Sequence, residues 1–340
     1  MNNDDLYLNK STGSDNILWD LWLSRLYLPA LGVADKINIF QTIHNGYTTI
    51  NKISYHLEMD MKGIEALVFF LTSIGLLNYS TEQVSLTNVA KNYLLSDSLH
   101  YWGNAFVRTH DTDEYKRVFT AITNTPSQLY SNGKNLSDMW KSGNLDIASA
   151  EIFTKVMHSS ILPSAILAIN NSVFADISHL LDVGGGSGCF SEYFVKRYPK
   201  SFATIFELPE VCSILKNNIN NTHINICSGN FFMDSFPDNC DGVLLSNILH
   251  DWDIEHVKIL LEKSFKVLPH NGKIFIHEML LDEGRCSPIT ATAFNLLMYV
   301  NHGSQQFTKS QLFNLLEFVG FKNCDYVKTH HYYSLIIAQK

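Results

Sequence analysis

Residues 180–190 read LLDVGGGSGCF. An apolar run, Leu180 to Val183, breaks into glycines at 184, 186 and 188, and a helix-compatible segment, FSEYFVKRY, follows. A short apolar run ended by glycines and followed by an amphipathic stretch predicts strand, loop and helix. Glycines let a backbone approach a ligand closely, and the helix behind them offers unpaired N–H groups. A tight strand-to-helix turn alone does not need three spaced glycines. Glu207, at the end of the next apolar run, is placed where an acid binds ribose hydroxyls in doubly wound folds.

Working outward, the runs HLLDVG (179–184), FATIFEL (202–208), INICSGN (224–230), DGVLLSNIL (241–249) and KIFIHEMLL (273–281) alternate with amphipathic helical stretches. That alternation predicts an α/β domain, a parallel sheet with helices on both faces. The chain closes with CDYVKTHHYYSLIIAQK (324–340), which predicts two strands joined tightly. The first half reads helical instead, and the composition shifts at 165–178. We therefore expect two domains, 1–165 and 166–340. Residues 17–43 carry apolar residues at helical spacing, with a break expected at Pro29 and Gly32. So apolar a stripe predicts a helix–helix or subunit interface and hence a homodimer. Residues 49–80 predict helix, turn, helix, stopped at Gly75, and 81–94 a small hairpin or wing.

A winged-helix pattern raises the possibility of DNA binding. Between 35 and 97, however, Lys36, Lys52, Lys62 and Lys91 face Asp35, Glu58, Asp60, Glu65, Glu82 and Asp97. Phosphate binding needs the opposite balance, and the whole chain carries a net charge of -8. We expect a structural module and no nucleic-acid partner. Of 340 residues, 46% are hydrophobic and 17% charged, enough for a large core. The six cysteines all lie in the second half without a CxxC pair, which predicts a reducing, cytoplasmic setting and no zinc site. His277, His302, His330 and His331 lack metal-ligand spacing, so no metal is expected. The N-terminus is polar and acidic, unlike a signal peptide, and no stretch reads as a bilayer span.

The glycine pattern is GxGxG, since Cys189 occupies the place of the third small residue in a dinucleotide fingerprint. Asp182 precedes it. A carboxylate there suits a cationic amino-acid head group better than a pyrophosphate. S-adenosylmethionine (SAM) has such a head group and no phosphate.

Residues 244–256, LLSNILHDWDIEH, end a buried run on His250, Asp251 and Trp252. Polar groups there must be solvated, paired or used. Taken in order, LLDVGGGSG, FELPEV, GNFF, ILHDW, NGKIFIHEMLL and FTKSQLFNLLEFVGF resemble the SAM-dependent O-methyltransferases of the caffeic acid and hydroxyindole type, over essentially the whole chain. The resemblance implies a Rossmann-like sheet of seven strands, the last antiparallel, with an N-terminal helical, winged-helix-like dimerisation domain. It implies an intertwined homodimer acting on a small aromatic hydroxylated substrate, such as a polyketide, quinone or phenol.

Site residues follow from the same resemblance. The cofactor set falls on Asp182, Gly184, Gly186, Gly188, Glu207, Asn230, Phe231 and Ser246. The family more often has Asp at 207 and 230 and lysine at 246. His250 matches the general base, Glu278 a carboxylate that orients it, and Gln306 stands where a second such carboxylate is usual. With an amide at 306 the base is expected to be weaker and the preferred acceptor more acidic. Substrate contacts fall on Asp251, Phe153, Met157, Met298 and His302, beside Tyr299. Two alternatives stay open: a SAM-binding relative performing decarboxylation, hydroxylation or cyclisation, and a SAM-sensing regulator.

Overall fold

The structure is a computed structural model, described here for residues 14–106, 110–124, 140–143 and 146–340. The chain divides into two compact units, one of residues 16–136 and 281–308, the other of 1–15, 137–280 and 309–340. This differs from a division at 165/166: helix 147–169 belongs with the sheet, and a late segment joins the helical unit.

The helical unit begins with α1 (Asn16–Ser24), α2 (Tyr27–Lys36) and α3 (Ile39–His44). The breaks fall at 25–26 and 37–38, not at Pro29 and Gly32. Pro29 sits in the first turn of α2, where a missing N–H costs nothing, and Asn38 takes the left-handed conformation (φ 58°) that ends a helix. Then come α4 (Ile50–Leu57), capped by Thr49, and α5 (Met61–Ser73), capped by Asp60 accepting from Gly63 N at 3.0 Å. The hairpin is β1 (Leu77–Ser80) and β2 (Gln83–Leu86), so it starts earlier than expected. Thr81 and Glu82 both have positive φ, which matches the twist of a two-residue turn. Residues 88–93 form a helix, α6 (Asn88–Tyr93), followed by α7 (Gly103–Phe106) and α8 (Asp113–Thr123).

The sheet unit contains α9 (Ile147–Ile169), β3 (His179–Val183), α10 (Cys189–Arg197), β4 (Phe202–Glu207), α11 (Pro209–Asn218), β5 (Ile224–Ser228), β6 (Gly242–Ser246), α12 (Ile254–Val267) and β7 (Lys273–Met279). By length and composition α9 could cross a bilayer, contrary to the sequence reading. It packs instead on α10 and α11, burying Ala150, Ile161, Ala165 and Ala168. The chain then supplies α13 (Ile289–His302) to the helical unit and returns as α14 (Lys309–Val319), β8 (Lys322–Lys328) and β9 (Tyr333–Gln339).

The seven strands run in the order β5-β4-β3-β6-β7-β9-β8, with β9 antiparallel to both neighbours, as expected. Strands β3, β6 and β7 are buried on both faces, which explains their unbroken apolar runs. Chain order reverses between β3 and β6. Such a switch point opens a crevice at the carboxyl ends of the two strands. Val183 pairs with Leu245 there, so the glycine loop after β3 and the His250 segment after β6 emerge side by side.

Candidate active site

The glycine loop is shaped by backbone that only glycine adopts readily. Gly184, Gly186 and Gly188 have φ of 66°, 54° and 76°. A β-carbon on Gly184 would lie 2.5 Å from Ile248 Cδ1, and one on Gly188 2.5 Å from Ile219 Cδ1. These two glycines serve close packing. A β-carbon on Gly186 would meet nothing nearer than the Gly184 carbonyl oxygen, at 4.0 Å. The room above Gly186 is what a cofactor lying on the loop requires.

Asp182 lies beneath the loop. It is buried, and its Oδ2 accepts from Ser191 Oγ at 2.8 Å. Burial raises its pKa to about 6, against the lowering effect of Ser191. Glu207, at the end of β4, accepts from Leu208 N at 2.7 Å and Gly186 N at 3.3 Å. Burial again dominates and raises it to about 7. It thus ties the β4 end to the loop glycine with open space above it.

Phe231 packs edge-on to Phe232 and Trp252, with centroids 4.8 and 5.8 Å apart. The Asn230 amide is committed within the protein. Its Nδ2 donates to the carbonyls of Trp140 (3.2 Å) and Lys141 (2.9 Å), and its Oδ1 accepts from Phe232 N at 2.9 Å. Ser246 pairs with His277 Nδ1 at 3.2 Å, and His277 stacks on Tyr333. Burial holds His277 down to about 3, so it is neutral. The side chains of Asp182, Asn230 and Ser246 are therefore committed within the protein, while Gly186 has open space above it.

Beyond β6, Asn247 takes a left-handed turn (φ 53°) and Leu249–Asp251 forms a 3-10 turn. This turn presents His250 to Glu278 on β7. Glu278 Oε2 lies 2.5 Å from His250 Nδ1, and Oε1 accepts from Leu249 N at 3.1 Å. One carboxylate thus fixes both the backbone and the ring. His250 Nε2 is 3.6 Å from Asp251 Oδ1. His250 and Glu278 are buried, Asp251 half-buried. Burial by itself lowers the His250 pKa, but the Glu278 charge, then Asp251, raise it to about 9. The base is therefore stronger than a free imidazole even with an amide, and not a second carboxylate, at 306.

Phe153 and Met157 are half-buried on α9, with Phe153 against Trp140 at 5.1 Å. One residue on, His158 Nδ1 lies 3.0 Å from Ser187 Oγ of the glycine loop. Sequence reading missed His158; its place one step from Met157 on a helix was the available signal. Gln306, Met298 and His302 lie in the helical unit, with Gln306 and Met298 buried and His302 half-buried.

A switch-point crevice, a glycine loop with room for a ligand and a buried histidine–carboxylate pair define a SAM-dependent methyltransferase. Residues 115–322 match the family described as the O-methyltransferase domain, and the chain belongs to it. Among curated proteins, it is 26% identical over 321 residues to 3-hydroxy-5-methyl-1-naphthoate 3-O-methyltransferase of Streptomyces sahachiroi, covering 92% of this chain and 90% of that protein. It is 32% identical over 180 residues to human acetylserotonin O-methyltransferase, covering 52% and 51%. Among solved structures, the fold matches an O-methyltransferase family 2 protein from Planctomyces limnophilus DSM 3776 in complex with apigenin, with TM-score 0.86, 20% identity and 98% of each chain covered. It also matches an O-methyltransferase from neocarzinostatin biosynthesis in complex with SAM and 2-hydroxy-5-methyl naphthoic acid, with TM-score 0.55, 20% identity and 92% and 95% covered.

Gly186→Val tests the loop. The added side chain enters open space, so the protein is expected to fold, at a left-handed strain of about 1–2 kcal/mol. SAM affinity should fall at least about tenfold, measured by calorimetry. Unchanged affinity in the folded variant would remove the loop from the cofactor site.

Proposed function

We propose that the chain transfers the methyl group of SAM to a hydroxyl on the aromatic ring of a small molecule, with His250 as general base. The observation that carries this is the His250–Glu278 pair, buried at the end of a central strand beside the glycine loop. The names of the naphthoate and acetylserotonin relatives support an aromatic acceptor. Bound SAM supplies a methyl group already activated by its sulfonium. Gly184, Gly186 and Gly188 give it backbone to lie on, Glu207 takes the ribose hydroxyls and Phe231 packs on the adenine. What remains for the protein is to orient the acceptor oxygen and remove its proton. A phenol near pKa ~10 is protonated at neutral pH, so the proton passes to the unprotonated fraction of His250, which grows toward pH 9, as the methyl leaves sulfur. Glu278 holds the ring tautomer with Nδ1 toward itself and stabilises the resulting imidazolium. Phe153 and Met157 supply apolar and aromatic surface for a flat acceptor, with Asp251 as a polar contact. Incubation with methyl-labelled SAM and a panel of hydroxylated aromatics tests the reading directly. Transfer of label to a ring oxygen is expected; SAM binding without methyl transfer to any hydroxyl would defeat it.

Glu207 gives a second test through pH. Its folded pKa is raised above the usual carboxylate value, so its contribution to stability is present at low pH and lost as pH rises through about 7. Ligand-free Glu207→Gln should melt above the parent at pH 8 and level with it at pH 4. Its Kd for SAM should rise roughly 10- to 100-fold, the value of hydrogen bonds to a charged group. A variant with parental SAM affinity would take Glu207 out of the cofactor site.

The protein is also proposed to be a homodimer through α1 and α2. Ile17, Leu18 and Leu21 are each at least 64% exposed, with Trp22 and Leu28 exposed beside them. So many large apolar side chains on adjacent turns call for a partner surface. Light scattering at micromolar concentration should give twice the chain mass, and a monomer there would refute the assignment.

A further inference from the structure

One stripe of α9 seats that helix against α10 and α11, and Thr154, Ile161 and Ala165 lie buried along it. His158 stands in the same stripe, four residues after Thr154 and three before Ile161, yet it is only half-buried. Its Nδ1 meets Ser187 Oγ at 3.0 Å. Helix and serine together hold the ring at the glycine loop, one residue along from Gly186 and the open space above it. The Nε2 atom has no hydrogen-bond partner among the described residues, and it is not sealed from solvent. With the Ser187 hydroxyl donating to Nδ1, the ring proton sits on Nε2, ready to be given to a ligand. A tie between helix and loop accounts for one nitrogen of this ring and leaves the other unexplained.

The amino-acid end of SAM carries a carboxylate as well as an ammonium. The acids at the loop suit the ammonium and the ribose but repel the carboxylate. Asp182 lies against Gly185, whose β-carbon would come within 2.9 Å of its carboxylate, and Glu207 accepts from Gly186 N. A carboxylate laid on this loop needs a donor of its own. We propose that His158 is a binding residue that receives the carboxylate of the SAM amino-acid end, donating from Nε2 while Ser187 holds Nδ1. The inference rests on the assignment of the glycine loop to SAM and deepens it, by naming the end of the cofactor that lies toward α9.

The test separates the carboxylate from the rest of the cofactor. S-adenosylhomocysteine and its decarboxylated counterpart, the aminopropyl thioether of adenosine, share the nucleoside, the sulfur and the ammonium and differ in that one group. Calorimetry measures the affinity of each for the parent and for two variants, so no turnover is needed. The parent is expected to bind S-adenosylhomocysteine about 10- to 100-fold more tightly than the decarboxylated ligand, the value of a hydrogen bond to a charged group. His158→Phe should weaken S-adenosylhomocysteine by about that factor and leave the decarboxylated ligand within about twofold, which brings the ratio near unity. His158→Gln keeps a neutral donor at a similar reach. It should retain only part of the ratio, and it carries the test if the phenylalanine variant does not fold. Equal weakening of both ligands would show that His158 merely ties α9 to the loop and would overturn the proposal. So would the full parental ratio in the folded variants, or a parent that binds both ligands alike. Each of these results leaves the loop assignment standing. Parental affinity for both ligands in folded Gly186→Val defeats that assignment, and the proposal with it.

Discussion

Replacing His250 with alanine is expected to lower kcat by roughly 10²- to 10⁴-fold and to leave SAM affinity unchanged, the usual yield of a positioned general base. The pH profile carries more information than the loss itself. With its pKa raised to about 9, His250 is mostly imidazolium at neutral pH. A neutral phenol and a protonated ring together hold one proton too many. The rate with a simple phenol should therefore climb about tenfold per pH unit up to about 9 and then level. An acceptor that ionises below pH 7 can bind as an anion against the imidazolium, so its rate should be flat from its own pKa to about 9. In the alanine variant both profiles should follow acceptor ionisation alone. A parent enzyme whose rate with a simple phenol is already level between pH 6 and 8 would show that the ring is not held protonated. Full activity of the variant well below the acceptor pKa would mean that the proton leaves by another route.

Glu278→Gln should produce the second large effect. Burial alone drives the His250 pKa down, and the Glu278 charge is the leading influence that reverses it. With an amide in its place, only Asp251, 3.6 Å away and half-exposed to solvent by comparison, supports the imidazolium. The acid limb of the profile should move from about 9 to below 7. Even where the ring is neutral, kcat should stay roughly 10²-fold low or worse, because the carboxylate that fixes a catalytic histidine's tautomer is missing. The Leu249 N–H keeps an oxygen acceptor in this variant, so a change confined to rate and pH profile is expected, with the fold retained. An acid limb that remains near 9 would show that Glu278 does not set the basicity of His250.

The sheet was legible because its strands are buried on both faces and its helices on one. Apolar runs such as 179–183 and 242–246 can be nothing but central strands once Gly184 and His250 end them. The glycine loop and the His250–Glu278 pair were legible for the same reason, since each sits at the end of such a run. What the sequence hid is pairing across long separations. Nothing local reveals that Asn230 spends its amide on the carbonyls of residues 140 and 141, that Ser246 turns to His277, or that Ser187 meets His158. The strength of the base was hidden too. It depends on a 2.5 Å contact with Glu278 whose charge outweighs burial, and motif spacing gives neither the distance nor the burial. In the helical half, Pro29 was read as a break because a proline's cost depends on its position within the helix, which periodicity alone does not fix.

Tyr299 shows what the excursion of residues 281–308 means during synthesis. Its ring is fully buried in the helical unit, against Gly63 of α5, with its hydroxyl 2.9 Å from Asp60 Oδ2 and 3.0 Å from the Ala121 carbonyl. The N-terminal helices leave the ribosome first, yet the residue that fills their centre is made long after them. Until α13 emerges, the α5 side chains that pack on it lack that cover. The sheet is completed later still, since β8 and β9, the latter paired with β7, follow α13 in the chain. Both units therefore close only with residues made late, and the early helices keep part of their apolar surface uncovered through most of translation.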